Sequence, residues 1–301
     1  MKKAIACLLA INCAPLLFSA SAQTTVFSDD FTSDSSLAQP PWYNLNNTTA
    51  ASYALNPVAG QGLALTVSSG TGKVNEMFAE FTPVSLSAGD SLTLTVNFNS
   101  PSGMASDTGG LLVGLYNNGT VNSANEQGSA SGSTVTGGET AASQGYFGIM
   151  GYNTSAGTST KFYSRQGGSS DANELAYYSE MTSGSYTQLS SSLASGNANL
   201  QLNLNYTLTY TITDEGAEGN QISAIITDGS TPVDSWTTTD ASGLYDTFNQ
   251  LDFGNYGKAG PVDINILSES VVTVTEAPEP SVIVLAGAAF GVFGLMRFRR
   301  R

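Results

Sequence analysis

Histidine is missing from all 301 residues, and the two cysteines, Cys7 and Cys13, sit within the first 13. Without histidine or a retained cysteine there is no Ser-His-Asp or Cys-His nucleophile, and no ligand set for most zinc and copper sites. Basic residues are scarce too. Of ten, Lys2, Lys3, Arg297, Arg299, Arg300 and Arg301 lie at the two extremities. That leaves four, Lys73, Lys161, Arg165 and Lys258, against 24 acidic residues between Asp29 and Glu279, a net of −20. Such a body repels nucleic acid and anionic polymers and favours cations. No Gly-rich phosphate loop follows a strand and opens a helix, and no helical period of useful length occurs between Gln23 and Glu276. Nucleotide chemistry and helical architectures drop out together.

What is present starts at the ends. Lys2 and Lys3 precede a largely apolar stretch over residues 4–18, and Ala20-Ser21-Ala22 offers a small-x-small cleavage site before Gln23. This predicts a secretory signal peptide over residues 1–22. Both cysteines leave with it, outside any lipoprotein signature, so the exported chain must rest on its own core without disulfides. At the other end Pro278-Glu279-Pro280 is followed by an apolar run, residues 281–296, and then by Arg297-Phe298-Arg299-Arg300-Arg301. Sixteen helical residues rise about 24 Å, a short span for a hydrocarbon core of about 30 Å, which arginines reaching to the headgroups extend. An arginine cluster stays on the cytoplasmic side and puts the body outside.

Residues 278–301 resemble the PEP-CTERM sorting signal of Gram-negative bacteria. The resemblance implies that Pro278, Glu279 and Pro280 mark the processing site and that Arg297, Arg299, Arg300 and Arg301 end the transmembrane helix. It implies as partners an exosortase, which is a membrane-embedded cysteine transpeptidase, and the inner membrane before processing. Cell-surface or matrix delivery then follows, among exopolysaccharide or other glycans. A plain membrane anchor that keeps Arg301 is the alternative.

Between these segments, residues 23–276 read as one β domain. Phe27 and Phe31 share a face of a first strand, and Trp42-Tyr43-Asn44-Leu45 and Gly62-Leu63-Ala64-Leu65-Thr66-Val67 follow between turn residues. Residues 75–86 read as a strand pair or one bent strand, since Pro83 interrupts the ladder and suits an edge. From 91 to 98 Leu92, Leu94, Val96 and Phe98 alternate with Ser91, Thr93, Thr95 and Asn97, a half-buried antiparallel strand. Residues 110–116 and 146–152 are apolar on both faces, as central strands are. From Leu200 to Thr213 alternation predicts one strand long enough to need a bend or bulge. Residues 221–227 and 233–237 pair through Asp228-Gly229, and residues 250–253 and 262–275 close the set. About a dozen strands in one domain predict an all-β, two-sheet antiparallel jelly-roll sandwich. The order of an Asp-Asp-Phe first strand, an early tryptophan, long Gly-Ser loops and a final Val262-Asp263-Ile264-Asn265 resembles concanavalin-like lectin or glucanase domains. That resemblance implies a structural Ca²⁺ held from the first and last strands, with Asp29 or Asp30 and Asp263 at the matching positions. No other cofactor is implied.

Catalysis by paired carboxylates has one candidate. Glu76 and Glu80 are four apart on a predicted strand, but the glucanase pattern also needs an acid at the position of Phe78. A solvated polar strand face explains the pair as well. Aromatic residues able to stack on sugars include Trp42 and the adjacent Tyr177 and Tyr178, whose flanks are loop-like. The expectation is an exported, non-catalytic surface or matrix protein with a structural, adhesive or glycan-binding role. An extracellular polysaccharide hydrolase or lyase and a permanently anchored envelope protein are the alternatives.

Overall fold

Leu92, Leu94, Val96 and Phe98 are fully buried while the residues between them are half-buried, as a pleated strand with one face on a core requires. The computed structural model describes residues 21–32, 42–46, 51–58, 62–67, 73–102, 109–119, 142–151, 160–167, 186–189, 198–257 and 262–275. These contain fifteen strands: β1 (Ala22–Asp30), β2 (Trp42–Asn46), β3 (Ala51–Val58), β4 (Gly62–Val67), β5 (Lys73–Ser85), β6 (Ser91–Ser102), β7 (Gly110–Asn117), β8 (Gln144–Gly151), β9 (Lys161–Arg165), β10 (Tyr186–Gln188), β11 (Asn205–Asp214), β12 (Asn220–Asp228), β13 (Thr231–Asp240), β14 (Thr247–Gly257) and β15 (Val262–Thr275). One compact unit spans Gln23–Thr273. A second combines Met1–Ala22 with Val274–Arg301, of which Ser21, Ala22, Val274 and Thr275 are described. The apolar run at 281–296, the sorting signal and most of the signal peptide lie outside the described residues. Among the described residues no helix is long and apolar enough to cross a membrane.

The strands form the expected two-sheet antiparallel sandwich of jelly-roll type. Sheet 1 runs β13-β12-β11-β6-β15-β4-β3 with β1 also on β15, and sheet 2 runs β10-β9-β8-β7-β14-β5-β2. Between them lies the main core. In sheet 1 Leu94, Tyr210, Ala224 and Trp236 stand in one row, so a small alanine lies between two large rings. Phe98 meets Phe253 of sheet 2 at 5.9 Å between ring centroids. A buried polar contact also joins the sheets: the Tyr146 hydroxyl donates to Asp240 at 2.9 Å and accepts from Asn220 at 3.0 Å. Tyr146 is thereby satisfied where an unpaired phenol would be costly. The outer face of sheet 1 is uncharged across its centre, where Thr93 pairs with Thr211 at 3.0 Å and Thr207 donates to Asn97 at 2.6 Å.

Two sequence expectations are corrected and one, at Pro83, is refined. The long strand from Leu200 starts only at Asn205, because Asn203 adopts a left-handed φ of 60°. Asparagine tolerates that conformation better than most residues. The alternation of Leu202 and Leu204 therefore has no core to face, and both are about 40% exposed (41% and 40%). β5 as a whole lies between β14 and β2, but at Pro83 it has β14 alone beside it, with an irregular register, as a bent or edge position has. The register with β14 slips between Phe248 and Gln250, and β2 pairs no further than Ala79, so the missing N–H at Pro83 breaks no ladder bond. Finally, β3 and β10 were not predicted, being short of apolar alternation.

Candidate functional site

Strands β7, β8 and β14 are buried on both faces, so sheet 2 carries a second cluster on the side away from the main core. Tyr43, Phe78, Leu112, Tyr116, Phe147, Ile149, Tyr163, Tyr186 and Tyr256 belong to it. Register places Gln188, Tyr163, Phe147, Gly114, Asp252, Phe78 and Tyr43 in one row across the sheet. At one end Phe147 and Tyr163 stack at 5.0 Å and 12°. At the other Tyr43 and Phe78 stack at 4.9 Å and 21°. Offset stacks of this kind are favourable beyond the area they bury. Between the stacks stand one glycine and one carboxylate.

Gly114 is what lets the centre of the row be polar. A Cβ there would come within 2.4 Å of the Tyr116 ring and hydroxyl. The ring of Tyr116, two residues along the same face, lies over Gly114 beside Asp252. The next row reads Tyr186, Arg165, Gly145, Tyr116, Gln250 and Glu80. Glu76, Asp252 and Glu80 thus form a diagonal set on two neighbouring strands, with Asp252 opposite Phe78 and each glutamate two residues away. Diagonal cross-strand neighbours lie about 7–8 Å apart.

Polar satisfaction in this set is uneven. The Asn118 side-chain amide donates to Glu80, and Asn118 and Asn249 exchange two hydrogen bonds of 3.0 and 2.6 Å. Ser143 donates to the side-chain Oε1 of Gln250 at 2.8 Å, while Arg165 donates to the Ser143 backbone carbonyl and lies 5.9 Å from the Tyr186 ring. By contrast both carboxylate oxygens of Asp252, the Gln250 Nε2 and the Tyr116 hydroxyl are fully buried without a hydrogen-bond partner. Burial first, then the charges of Glu76 and Glu269, hold Asp252 well above the ordinary aspartate range, and Arg165 pulls the other way. Burial likewise raises Tyr116. Glu80 is also raised by burial, against the Asn118 hydrogen bond. Native structures leave few buried groups in this state, and such groups collect where a ligand is bound.

Glu80 is the member of the set that is not fully buried. Beyond the end of β2 it lines a cleft of about 400 Å³ with Val26, Phe27, Ser28, Phe81 and Thr82, a size within the range of small-ligand sites. The cleft wall and the polar row therefore share one carboxylate.

The structure places the sequence candidates differently. Glu76 is not on a solvated face: it is fully buried. Asp252 stands opposite Phe78 across the ladder. Trp42 is no stacking platform. It is buried against Phe27 and Phe31, at 5.4 and 5.1 Å, and its indole N–H donates to Asp29. Trp42→Phe keeps the packing but removes that donor from a buried carboxylate. It is expected to cost about 1–3 kcal/mol, read by urea unfolding. Tyr177 and Tyr178 lie outside the described residues. Asp30 accepts from the Thr32 N–H at 3.1 Å and hydroxyl at 2.7 Å, and Asp263 accepts from Ser102, so each of these calcium candidates serves a local hydrogen bond. Among the described residues no three acidic, histidine or cysteine side chains are grouped to hold a metal. Sequence reasoning missed Asp252, Gln250 and Tyr116. The available signal was a charge at the centre of an otherwise apolar strand, Leu251-Asp252-Phe253.

The chain is similar to the metal-free carbohydrate recognition domain of Emp46p, at 14% identity and a TM-score of 0.43, over 82% of this chain and 94% of that one. It is similar to lectin UEA-II complexed with galactose, at 12% and 0.45, over 83% and 99%. It is also similar to peanut lectin with a nine-residue peptide, at 12% and 0.44, over 84% and 99%. No family model and no curated protein sequence matches the chain.

Proposed function

We propose that this chain is an exported cell-surface or matrix protein that binds a glycan on the outer face of sheet 2 without cleaving it. One observation carries the reading: Asp252, Gln250 and Tyr116, in two adjacent rows of that face, hold polar atoms that no protein group satisfies, next to Glu80 at the cleft. A sugar presents a rim of hydroxyls, so its site needs a few fixed polar groups to meet them. The cleft at Glu80 is the approach to that row. Export, retention in the inner membrane and exosortase processing are supported by the basic-apolar leader, by Pro278-Glu279-Pro280 and by the terminal arginines.

The test is a glycan array probed with the full-length chain in detergent. Binding to a defined glycan class is expected, weakened about tenfold by Tyr116→Phe or Gln250→Leu, each of which removes one unsatisfied polar group. An array without any bound glycan, or variants that bind like the wild type, would sink the reading.

A second reading rests on the position of Asp252. It is a diagonal cross-strand neighbour of Glu80 on the same face, and glycosidases work with two carboxyl groups on either side of the scissile bond. The raised values of Asp252 and Glu80 suit an acid that must keep its proton. Release of reducing ends from a bound polysaccharide, abolished by Glu80→Gln, would favour hydrolysis over binding.

A further inference from the structure

The outer face of sheet 1 stands apart from the rest of this acidic body. Residues between the buried Leu92, Leu94, Val96 and Phe98 of β6, and between Tyr206, Leu208, Tyr210 and Ile212 of β11, point outward. One row across four strands reads Thr93, Thr211, Ser223 and Thr237, and the next reads Thr95, Thr209, Ile225 and Ser235. No outward position of β6, β11, β12 or β13 is charged. The next strand, β15, brings a carboxylate at Asp263, which accepts from Ser102. Soluble surfaces ordinarily mix lysine, arginine, aspartate and glutamate over every face, so a neutral patch spanning four strands calls for a reason.

The pattern excludes most guests. Ions and charged polymers meet no opposite charge there. Small ligands need a concave site in which a few polar groups converge, whereas these hydroxyls are spread in rows. A protein partner needs an apolar centre, and Ile225, 40% exposed, is the one large apolar side chain on the face of these four strands. What fits is a guest that is itself neutral, periodic and built of hydrogen-bonding oxygens.

We propose that this face binds ice. Threonine carries a hydroxyl and a methyl on a side chain that is stiff at χ1, so both sit at fixed points. Neighbouring strands lie about 4.7–4.9 Å apart, and successive outward residues of one strand about 6.8 Å apart. Those two spacings are close to the oxygen repeats on a prism face of ice. A hydroxyl has one donor and two acceptor sites. The 3.0 Å bond between Thr93 and Thr211 and the 2.6 Å bond from Thr207 to Asn97 therefore leave sites open to lattice water. Water beside the methyls and Ile225 is orientationally restricted before any crystal arrives. Twist turns each strand by about 20–25° from the next, so the match holds over two or three strands. It is centred on β11, whose ladders with β6 and β12 run without a register shift. The candidate glycan site belongs to the other sheet, and neither proposal depends on the other.

The experiment grows an ice hemisphere slowly on a cold finger from the full-length chain in detergent, fluorescently labelled through its amines, none of which lies on this face. The wild type is expected to enter the ice, and in a second readout to keep small ice grains from coarsening at constant temperature. Detergent alone and an unrelated labelled acidic protein should do neither. Thr209→Tyr and Thr95→Tyr face each other across the β6–β11 ladder. Each should lose most of both effects, because a ring standing above short side chains holds the crystal off its neighbours. Tyrosine suits a strand surface, and with one change on each strand the second variant reports if circular dichroism finds the first misfolded. Leu244→Lys, in the connection from β13 to β14 and 55% exposed, should keep both effects. Exclusion of the wild-type chain from the ice overturns the proposal. Folded tyrosine variants that enter ice as the wild type does, or an equal loss in Leu244→Lys, overturn the assignment to this face.

Discussion

Glu269→Gln is expected to unfold at a higher temperature than the wild type at about pH 8, and at nearly the same temperature at about pH 4. Glu269 projects from β15, is buried, and has both carboxylate oxygens without a partner. Burial first, and then the charge of Asp29, hold it well above the ordinary glutamate range. The folded state therefore binds a proton that the unfolded state has released. Stability from that proton is fully present below the unfolded value and is lost as pH rises from there toward the folded one. Within this window the loss is about 1.4 kcal/mol for each pH unit and each such group. Asp252 adds a second loss of the same sign, reduced by Arg165. For a body of this size each kcal/mol moves the midpoint by about 2–4 °C. Glutamine carries no proton to lose, so the variant should show a flatter stability curve from about pH 5 to pH 8. Thermal unfolding across that range checks it. Superimposable curves for wild type and variant would show that Glu269 keeps its ordinary affinity for the proton.

Gly254→Ala should destabilise the fold by about 3 kcal/mol, which is near the upper end of ordinary overpacking. Gly254 pairs with Glu76 on β5 and with Leu112 on β7, at the centre of sheet 2. A Cβ there would stand 2.4 Å from the Asn75 carbonyl oxygen and 2.8 Å from the Glu76 Cα. Those are backbone atoms, which no rotamer change can move aside, so β5 and β14 must part. Because β5 carries Glu76 and Glu80 and β14 carries Asp252 and Gln250, glycan binding should fall with stability. Gly229→Ala, where nothing lies within 4 Å of the new Cβ, is the comparison: its strain comes only from the positive φ of 57°. Urea midpoints of the two variants measure the difference. A Gly254→Ala protein as stable as the wild type would mean that the two strands are not held at this register.

The site was half legible before the fold was seen. Glu76 and Glu80 stand out as an i, i+4 pair, but a lone pair on an amphipathic strand reads equally as a wet surface. That reading fails because β14, far along the chain, lies beside β5 and brings Asp252 into the gap at Phe78. Trp42 invites the opposite error. A tryptophan near a turn suggests a sugar platform, yet Phe27, Phe31 and Asp29 enclose it. For Leu202 and Leu204 the alternation was real but had nothing to pack against once Asn203 turned the chain.

Local pattern was enough to determine the all-β class and the face that each of β6 and β11 turns to the core, and composition the lack of histidine chemistry. Side-chain alternation and composition are properties of short stretches, and they need no knowledge of neighbours. Which strands lie side by side was decided only in three dimensions, because register between segments more than a hundred residues apart depends on the whole packing of both sheets. That register assembles Glu76, Glu80, Gln250, Asp252 and Tyr116 on one face.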